Sequence, residues 1–414
     1  MDMTEKIKEV LKKQITLIKP SEKEQEKIEK ETEKFVGELR KKIKKRKIKA
    51  EVFVGGSLAK GTLIKKDKYD IDIFVRFDEK YKDNEISEIL EKLVRGKRVH
   101  GSRDYFQTIL KGILFEIVPT LKIKKPEEAE NVTDLSFFHV NYIKNKIKKN
   151  KKLAEDIMLA KSFCYCQNCY GAEGYIRGFS GYALELLVSY YGSFLKFIKA
   201  INKEKVIIDA KKFYKNEKEV MLELNEAKLQ SPIVFVDPTF KERNALSALS
   251  LETFEKFKNA CRNFWNFPSE RFFEKQNTEK NLRKKYKNLI IIEAKTNKQK
   301  GDIAGSKLKK FYEFLTFKLG KSFEIKAREF EYDEKRNIGK MYFVLKQKKQ
   351  ILISGPPINK IENLMNFKKK HKKCFIKQGK AYACEKPKSL RQIVEELRKD
   401  KILREMDMAK ILIR

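Results

Sequence analysis

Long apolar runs, histidine and acidic charge are what this 414-residue chain has least of. No stretch of roughly 18 consecutive apolar residues occurs, so no membrane span is expected. The opening residues, MDMTEKIKEVLKKQ, lack the continuous apolar core of a secretory leader. The expectation is therefore a cytoplasmic protein whose six cysteines are reduced thiols. Cys164, Cys166 and Cys169 lie close together, but a structural zinc needs four ligands and the chain has only three histidines. Small buried packing residues are the preferred reading of that cluster. No internal repeat is visible, which argues against a solenoid. Acidic residues number 58 against 95 Lys and Arg, a net charge of +37. Such an excess repels itself in the compact state and points to a polyanionic partner, nucleic acid first. An apolar share of 41% still supplies a core, and the length leaves room for about two to four domains.

Residues 4–46 have helical periodicity broken at Pro20, with Ser21 and Glu24 spaced as a capping box. Alternation from Ile48 to Val54 predicts a strand, Asp72–Phe77 a second, and Tyr105–Leu110 with Ile113–Val118 a hairpin across Lys111-Gly112, ended by Pro119. This order suits a small mixed sheet flanked by helices. Residues 140–265 look mainly helical, with Tyr182–Phe197 apolar on nearly all sides and a short extended run at Pro232–Val236. The polar, basic stretch 275–288 is expected to connect domains. Beyond it come a strand at Leu289–Ile292, an amphipathic helix through Leu308, Phe311, Leu315 and Leu319, and strands at Phe323–Tyr332 and Met341–Leu345. These suggest an α+β unit of RNA-binding type. Ser389 to Arg414 is expected to be mostly helix.

The chemistry concentrates at Gly55-Gly56-Ser57 and Asp70-Ile71-Asp72. Two aspartates two apart on a strand project from one face. Transfer of a nucleotidyl group requires a neutralised triphosphate, an activated hydroxyl and a stabilised pyrophosphate, which two divalent ions about 3.5–4 Å apart provide when carboxylates hold them. Glu116, a charge inside the apolar Phe115-Glu116-Ile117, is the natural third carboxylate, because it would be costly there without a cation. Paired glycines let backbone approach phosphate oxygens, Ser57 offers a hydroxyl, a following helical turn adds free N–H groups, and Lys60 adds charge.

GGSLAKGT, YDIDIFVRF and FEIVPTL resemble the nucleotidyltransferase core of the archaeal class (class I) of CCA-adding enzymes, the tRNA nucleotidyltransferases. Other members of the superfamily share the first two elements. FFHV (137–140), GAE (171–173), RGFSGY (177–182), ELL (185–187), YGSF (191–194), VDP (236–238) and RNA (243–245) resemble that family's central domain. Gly355-Pro356-Pro357 and 379–384 resemble its tail. The resemblance spans nearly the whole chain. It implies a multi-domain α+β fold: a polymerase-beta-like mixed-sheet head (1–134), a helical central domain (135–275), and a ferredoxin- or RRM-like body with a tRNA-binding tail (276–414).

It further implies addition of C, C and A from CTP and ATP to the 3′ end of tRNA, with Mg2+ on Asp70, Asp72 and Glu116. Ser57, Lys60, Ser136, His139, Lys161 and Tyr170 would contact the triphosphate, Arg177 and Ser180 would line the same cleft, and Arg243 would face the incoming base. The family usually has Asp at the third carboxylate, and often Arg and Thr where Lys60 and Ser136 stand. RNA contact is expected at Lys368, Lys369, Lys370, Lys372 and Lys373, a basic run flanked by Phe367 and Phe375. Related enzymes suggest a homodimer. A poly(A)-polymerase-like or oligoadenylate-synthetase-like transferase is the nearest rival. A catalytically silent RNA-binding protein is a second, opposed by the presence of all three carboxylates.

Overall fold

The computed structural model describes residues 3–65, 68–201, 206–371, 373–399, 401–405 and 407–413. It divides into two compact units, one of Met1–Ala172 with Ile176–Lys275 and one of Glu173–Tyr175 with Gln276–Arg414. Pro20 separates α1 (Met3–Ile18) from α2 (Glu22–Lys45). The capping box forms: Glu24 N–H donates to Ser21 Oγ (3.3 Å) and Ser21 N–H to the Glu24 carboxylate (2.9 Å). The two helices serve different cores. α2 buries Ile28, Val36, Leu39 and Ile43 under the first sheet, whereas α1 buries Ile7, Val10, Leu11 and Ile18 among the helices that follow it.

The first sheet is built from β1 (Ala50–Val54), β2 (Tyr69–Phe77), β3 (Lys97–Val99), β4 (Tyr105–Leu110) and β5 (Ile113–Leu121), with α3 (Gly56–Lys60) and α4 (Asp83–Glu91) between strands. Its order is β1-β2-β5-β4-β3, mixed as expected, with β2 and β5 the parallel pair. β2 starts earlier than the expected Asp72, so Asp70 is also on the strand. Ile71, Ile73, Val75 and Phe77 are fully buried on one face, leaving Asp70 and Asp72 on the other. Pro119 does not end β5, which runs on to Leu121. β4 pairs only as far as Ile117, and the carbonyl of Pro119 accepts from Arg103 Nη1 in the loop before β4 (3.2 Å). In a strand the N and C=O of one residue point the same way, so the proline's missing donor falls where the ladder has already stopped.

The rest of this unit comprises α5 (Ser136–Lys149), α6 (Leu153–Cys166), α7 (Gly181–Tyr191), α8 (Phe194–Ala200), β6 (Val206–Ile208), α9 (Glu217–Glu223), β7 (Ile233–Asp237), β8 (Phe240–Asn244) and α10 (Leu251–Asn266). One expectation changes and one is extended. The apolar stretch 182–197 is two helices, because Gly192 adopts φ 84° at the end of α7 and Ser193 caps α8 through its Oγ. The extended run at 232–236 is also the central strand of a three-stranded sheet, β6-β7-β8. Cys164, Cys166 and Cys169 are buried. Burial pushes the Cys166 thiol up to about 11, and its Sγ–H donates to the Phe273 carbonyl (2.9 Å).

The second unit contains α11 (Thr278–Lys285), so the expected connector is partly helical, with Asn277 Oδ1 accepting from Lys280 N–H (2.9 Å). β9 (Leu289–Thr296), α12 (Gly301–Ser322), β10 (Phe323–Asp333) and β11 (Ile338–Gln347) follow. Next come β12 (Ile351–Pro357), α13 (Ile361–Lys370), β13 (Cys374–Lys377) and β14 (Lys380–Glu385), then α14 (Leu390–Lys399), α15 (Lys401–Glu405) and β15 (Met408–Ile413). β9, α12, β10, β11, α14 and β15 make the βαββαβ succession of a ferredoxin-like fold, with antiparallel sheet order β10-β11-β9-β15. The sheet β12-β14-β13 with α13 is inserted between β11 and α14. The mostly helical end is present as α14 and α15, and it closes with a strand that was not expected, residues 408–413 on the edge of β9. Met-Ala-Lys-Ile-Leu-Ile has no local bar to helix, but the open edge of β9 offers it a hydrogen-bond ladder. Among the described residues no helix is long and apolar enough to cross a membrane.

Candidate active site

The glycine turn and the aspartates meet because β1 and β2 are antiparallel neighbours: Val54 pairs with Ile73, and Gly55 N–H donates to the Asp72 carbonyl (2.8 Å). Both glycines are sterically required. A Cβ at Gly55 would stand 2.3 Å from the Phe74 ring. One at Gly56, whose φ is +57°, would stand 1.6 Å from Asp72 Oδ2. The backbone at Gly56 is therefore pressed against the carboxylate. Ser57 lies in α3, its carbonyl accepting from Thr62 N–H (2.9 Å).

Across the parallel pair, Asp72 stands opposite Glu116 and Asp70 opposite Leu114. Two carboxylates side by side on adjacent strands repel unless something positive lies between or near them. Glu116 accepts from Gln107 Nε2 on β4 (2.7 Å). Among the described residues no three His, Cys, Asp or Glu side chains already converge closely enough to hold a metal ion. The donor set nonetheless fits a hard divalent cation: oxygen ligands only, on one sheet face, with glycine backbone where a side chain would fill the space.

Beside the carboxylates lies a buried charge cluster. Lys60 at the end of α3 and Lys161 on α6 both donate to Glu185 on α7, Lys60 to Oε2 (2.7 Å) and Lys161 to Oε1 (2.8 Å). Lys161 also donates to Thr62 Oγ1 (3.0 Å). The side chains are 9%, 6% and 1% exposed for Lys60, Lys161 and Glu185. Burial lowers the Lys161 pKa, countered by Glu185 and by the charge of Asp72. Burial opposes the Glu185 charge too, but the two ammoniums outweigh it and hold the carboxyl below its usual range. Tyr170 adjoins this cluster: a Cβ on Gly181 would lie 3.0 Å from its hydroxyl and 3.9 Å from Lys161 Cε.

A second cluster surrounds Asp237, fully buried at the end of β7. Its carboxylate accepts from Tyr182 Oη (3.0 Å), from Thr239 N–H (2.9 Å) and Oγ1 (2.8 Å), and from Arg243 Nη1 on β8 (2.5 Å). Burial opposes the Asp237 charge, but these donors together with His139 hold its carboxyl well below the usual carboxylate range. His139 on α5 stacks on the Tyr182 ring at 4.0 Å between centroids. Its Nε2 stands 3.2 Å from Asp237 Oδ2 without the alignment of a hydrogen bond. Burial lowers the His139 pKa against the opposing pull of Asp237, and the charges of Arg243 and Lys60 add to the lowering, which sets His139 within electrostatic reach of the first cluster.

Of the remaining candidates, Ser136 opens α5, partly buried. Ser180 caps α7, its Oγ accepting from Ala183 N–H (3.1 Å). Arg177 is exposed on the preceding loop with φ 51°, its carbonyl accepting from Ser250 N–H (2.8 Å). Lys368, Lys369 and Lys370 are exposed in the last turn of α13, and Lys373 is exposed just before β13; Lys372 lies outside the described residues. Glu185 and Asp237 were not among the expected site residues. The signal for both was present: a lone carboxylate inside an apolar segment, the same reasoning that singled out Glu116.

A mixed sheet bearing a glycine turn, facing carboxylates and a buried lysine, followed by a helical domain that supplies a second, defines a nucleotidyltransferase with a polymerase-beta-like head. The chain has TM-scores of 0.51 to the Cid1 poly(U) polymerase bound to Mg and 3′-dATP and to a cytoplasmic RNA terminal U-transferase. The first is 15% identical and covers 64% of this chain and 98% of that one; the second is 16% identical and covers 66% and 99%. Those likenesses establish the fold. Residues 155–274 match the family described as tRNA nucleotidyltransferase, second domain, and residues 1–136 match the Second Messenger Oligonucleotide or Dinucleotide Synthetase domain. The CCA-adding enzyme of Nanoarchaeum equitans is 37% identical over 343 residues, 80% of this chain and 83% of that protein. The CCA-adding enzyme of Methanocaldococcus jannaschii is 28% identical over 398 residues, 91% and 87% of the two chains. This chain belongs to the CCA-adding enzyme family.

Proposed function

We propose that this protein adds C, C and A in turn to the 3′ end of tRNA, using CTP and ATP, without a nucleic-acid template and with release of pyrophosphate. The observation that carries the reading is the register that sets Glu116 beside Asp72 at the glycine turn, in a chain of this family. Asp70, Asp72 and Glu116 would hold Mg2+, which when bound neutralises triphosphate charge and favours ionisation of the attacking hydroxyl. The tRNA 3′ hydroxyl gives its proton to water, its oxygen bonds to the α-phosphorus, the bond from that phosphorus to the oxygen bridging to the β-phosphate breaks, and pyrophosphate leaves; no covalent enzyme intermediate is formed. Lys60 and Lys161 offer ammonium donors to the triphosphate. Ser57, Ser136, His139, Tyr170, Arg177 and Ser180 are assigned to the same cleft. Arg243, fixed by Asp237 and one-quarter exposed, presents guanidinium donors to the base.

The head (1–134) is assigned the carboxylates together with Ser57 and Lys60, the central domain (135–275) the remaining nucleotide-holding side chains, and the body and tail (276–414) the tRNA. A cytoplasmic location and a homodimer accompany this reading. The test is incorporation: tRNA lacking CCA should gain three residues and then stop, and Asp70→Asn or Asp72→Asn should abolish the gain. Unlimited addition of A, or no use of CTP, would overturn it.

A further inference from the structure

We propose that Glu185 is a positioning residue for the triphosphate, holding Lys60 and Lys161 as a pair so that their remaining N–H groups and one net positive charge face the nucleotide. This role rests on the proposed function. Three elements supply the three groups, α3, α6 and α7, and one carboxylate bonds both ammoniums through separate oxygens at 2.7 and 2.8 Å. Two ammoniums this close repel, and each loses hydration on burial, so neither position is stable without an anion between them. Glu185 is that anion. The three hydrogen bonds to Glu185 and Thr62 use three of the six ammonium N–H donors, one on Lys60 and two on Lys161, and leave three. Within the three-residue cluster, two positive charges against one negative leave a surplus suited to an arriving polyphosphate, while the neighbouring Asp72 is assigned to the metal. The Glu185 side chain, only 1% exposed, is held by its helix away from solvent, so it orders the lysines rather than merely accompanying them.

A simple structural bridge would hold α7 against α3 and α6 without altering nucleotide binding. The two roles separate in kinetics. Glu185→Gln keeps the shape and removes the charge. It should raise KM for CTP and ATP about tenfold while kcat changes less than about threefold and KM for tRNA stays level. It should also move the basic limb of the pH profile of kcat/KM to lower pH, because Lys161, faced by Glu185, Lys60, Asp72 and the Tyr170 hydroxyl, loses the group that keeps it protonated. Glu185→Asp keeps the charge with a shorter reach, so it should raise KM while the basic limb remains in place. That variant carries the test if Glu185→Gln does not fold.

Binding of inorganic tripolyphosphate to wild type and to each variant, without tRNA, supplies a readout independent of CCA addition and should weaken in step with KM. An unchanged KM with a lowered melting temperature would overturn the proposal in favour of a purely structural bridge. A tighter KM would overturn it by showing that Glu185 competes with the nucleotide for the lysines. If wild type binds tripolyphosphate through this cluster, and the Glu185 variants weaken that binding, but nothing is added to tRNA, the functional reading fails and only the role of Glu185 toward a polyphosphate stands.

Discussion

At the level of single residues, the glycine turn leaves almost no room for a change in shape. Gly56→Ala would drive a methyl into the Asp72 carboxylate and hold a non-glycine residue at φ +57°. Left-handed strain of this kind costs on the order of 1–3 kcal/mol, and displacement of Asp72 adds to it. Incorporation should fall at least about a hundredfold, while circular dichroism still shows a folded protein; activity within a few-fold of wild type would contradict the geometry.

His139 makes a pH prediction. Burial lowers its pKa below 6.5, so the unfolded chain binds the proton more readily than the native one. Its contribution to stability is full above the unfolded pKa and is lost as pH falls from about 6.5 toward the depressed native value. Unfolding midpoints should therefore drop as pH falls from about 7 to 5, and His139→Gln should flatten that drop. Asp237 has a pKa lowered below the ordinary carboxylate range, so its contribution is full above the unfolded carboxylate pKa of about 3.9 and is lost as pH falls from there toward the native value. Asp70, Asp72, Glu116 and Lys60 could be singled out in the linear sequence because each breaks a local pattern. Lys161, Tyr170 and Arg243 could not, since nothing in their neighbourhoods distinguishes a buried donor from an ordinary surface or packing residue.

At the level of elements, short-range signals placed the helices and strands well where one element ends in a cap and poorly where long-range pairing decides. Pro20 with the Ser21 box, and the hairpin turn at Lys111-Gly112, behave as their local chemistry requires. Pro119 does not, because a proline is harmless where the neighbouring strand has already ended. Residues 182–197 split because a glycine and a serine stand together, a signal masked by the surrounding apolar residues. Ser180 is both a proposed cleft residue and the cap of α7. Ser180→Ala should lower stability by about 1 kcal/mol, measured by denaturant unfolding. An accompanying rise in KM for nucleotide would show that its hydroxyl also meets substrate, whereas an unchanged KM would reduce it to a cap.

At the level of the whole molecule, a net charge of +37 is resisted by its own repulsion and relieved by a polyanion. The inserted module concentrates exposed lysines. Lys368, Lys369 and Lys370 end α13, and Lys377 and Lys380 flank the turn between β13 and β14. Phe375 stacks with Tyr382 in the same small sheet at 5.8 Å. Replacing Lys368, Lys369, Lys370 and Lys373 with Gln should weaken tRNA binding and reduce its salt dependence, by roughly 0.7–0.9 in the log–log slope for each RNA phosphate that the protein no longer neutralises. KM for CTP should not move. A slope equal to that of wild type would place RNA binding elsewhere on the chain.

What the sequence determined by itself is what backbone geometry enforces over a few residues: the period-two display of Asp70 and Asp72, the helical periods of α1 and α2, the turn at Gly55-Gly56, and the sign of the charge. Tertiary structure alone decided which core α1 enters, that β15 completes the edge of β9, that Glu116 stands in register with Asp72, and that Lys60, Lys161 and Glu185 converge from three separate elements. Register and buried charge pairing are settled by hydrogen bonds and desolvation between segments distant in the chain, and no local pattern carries that information.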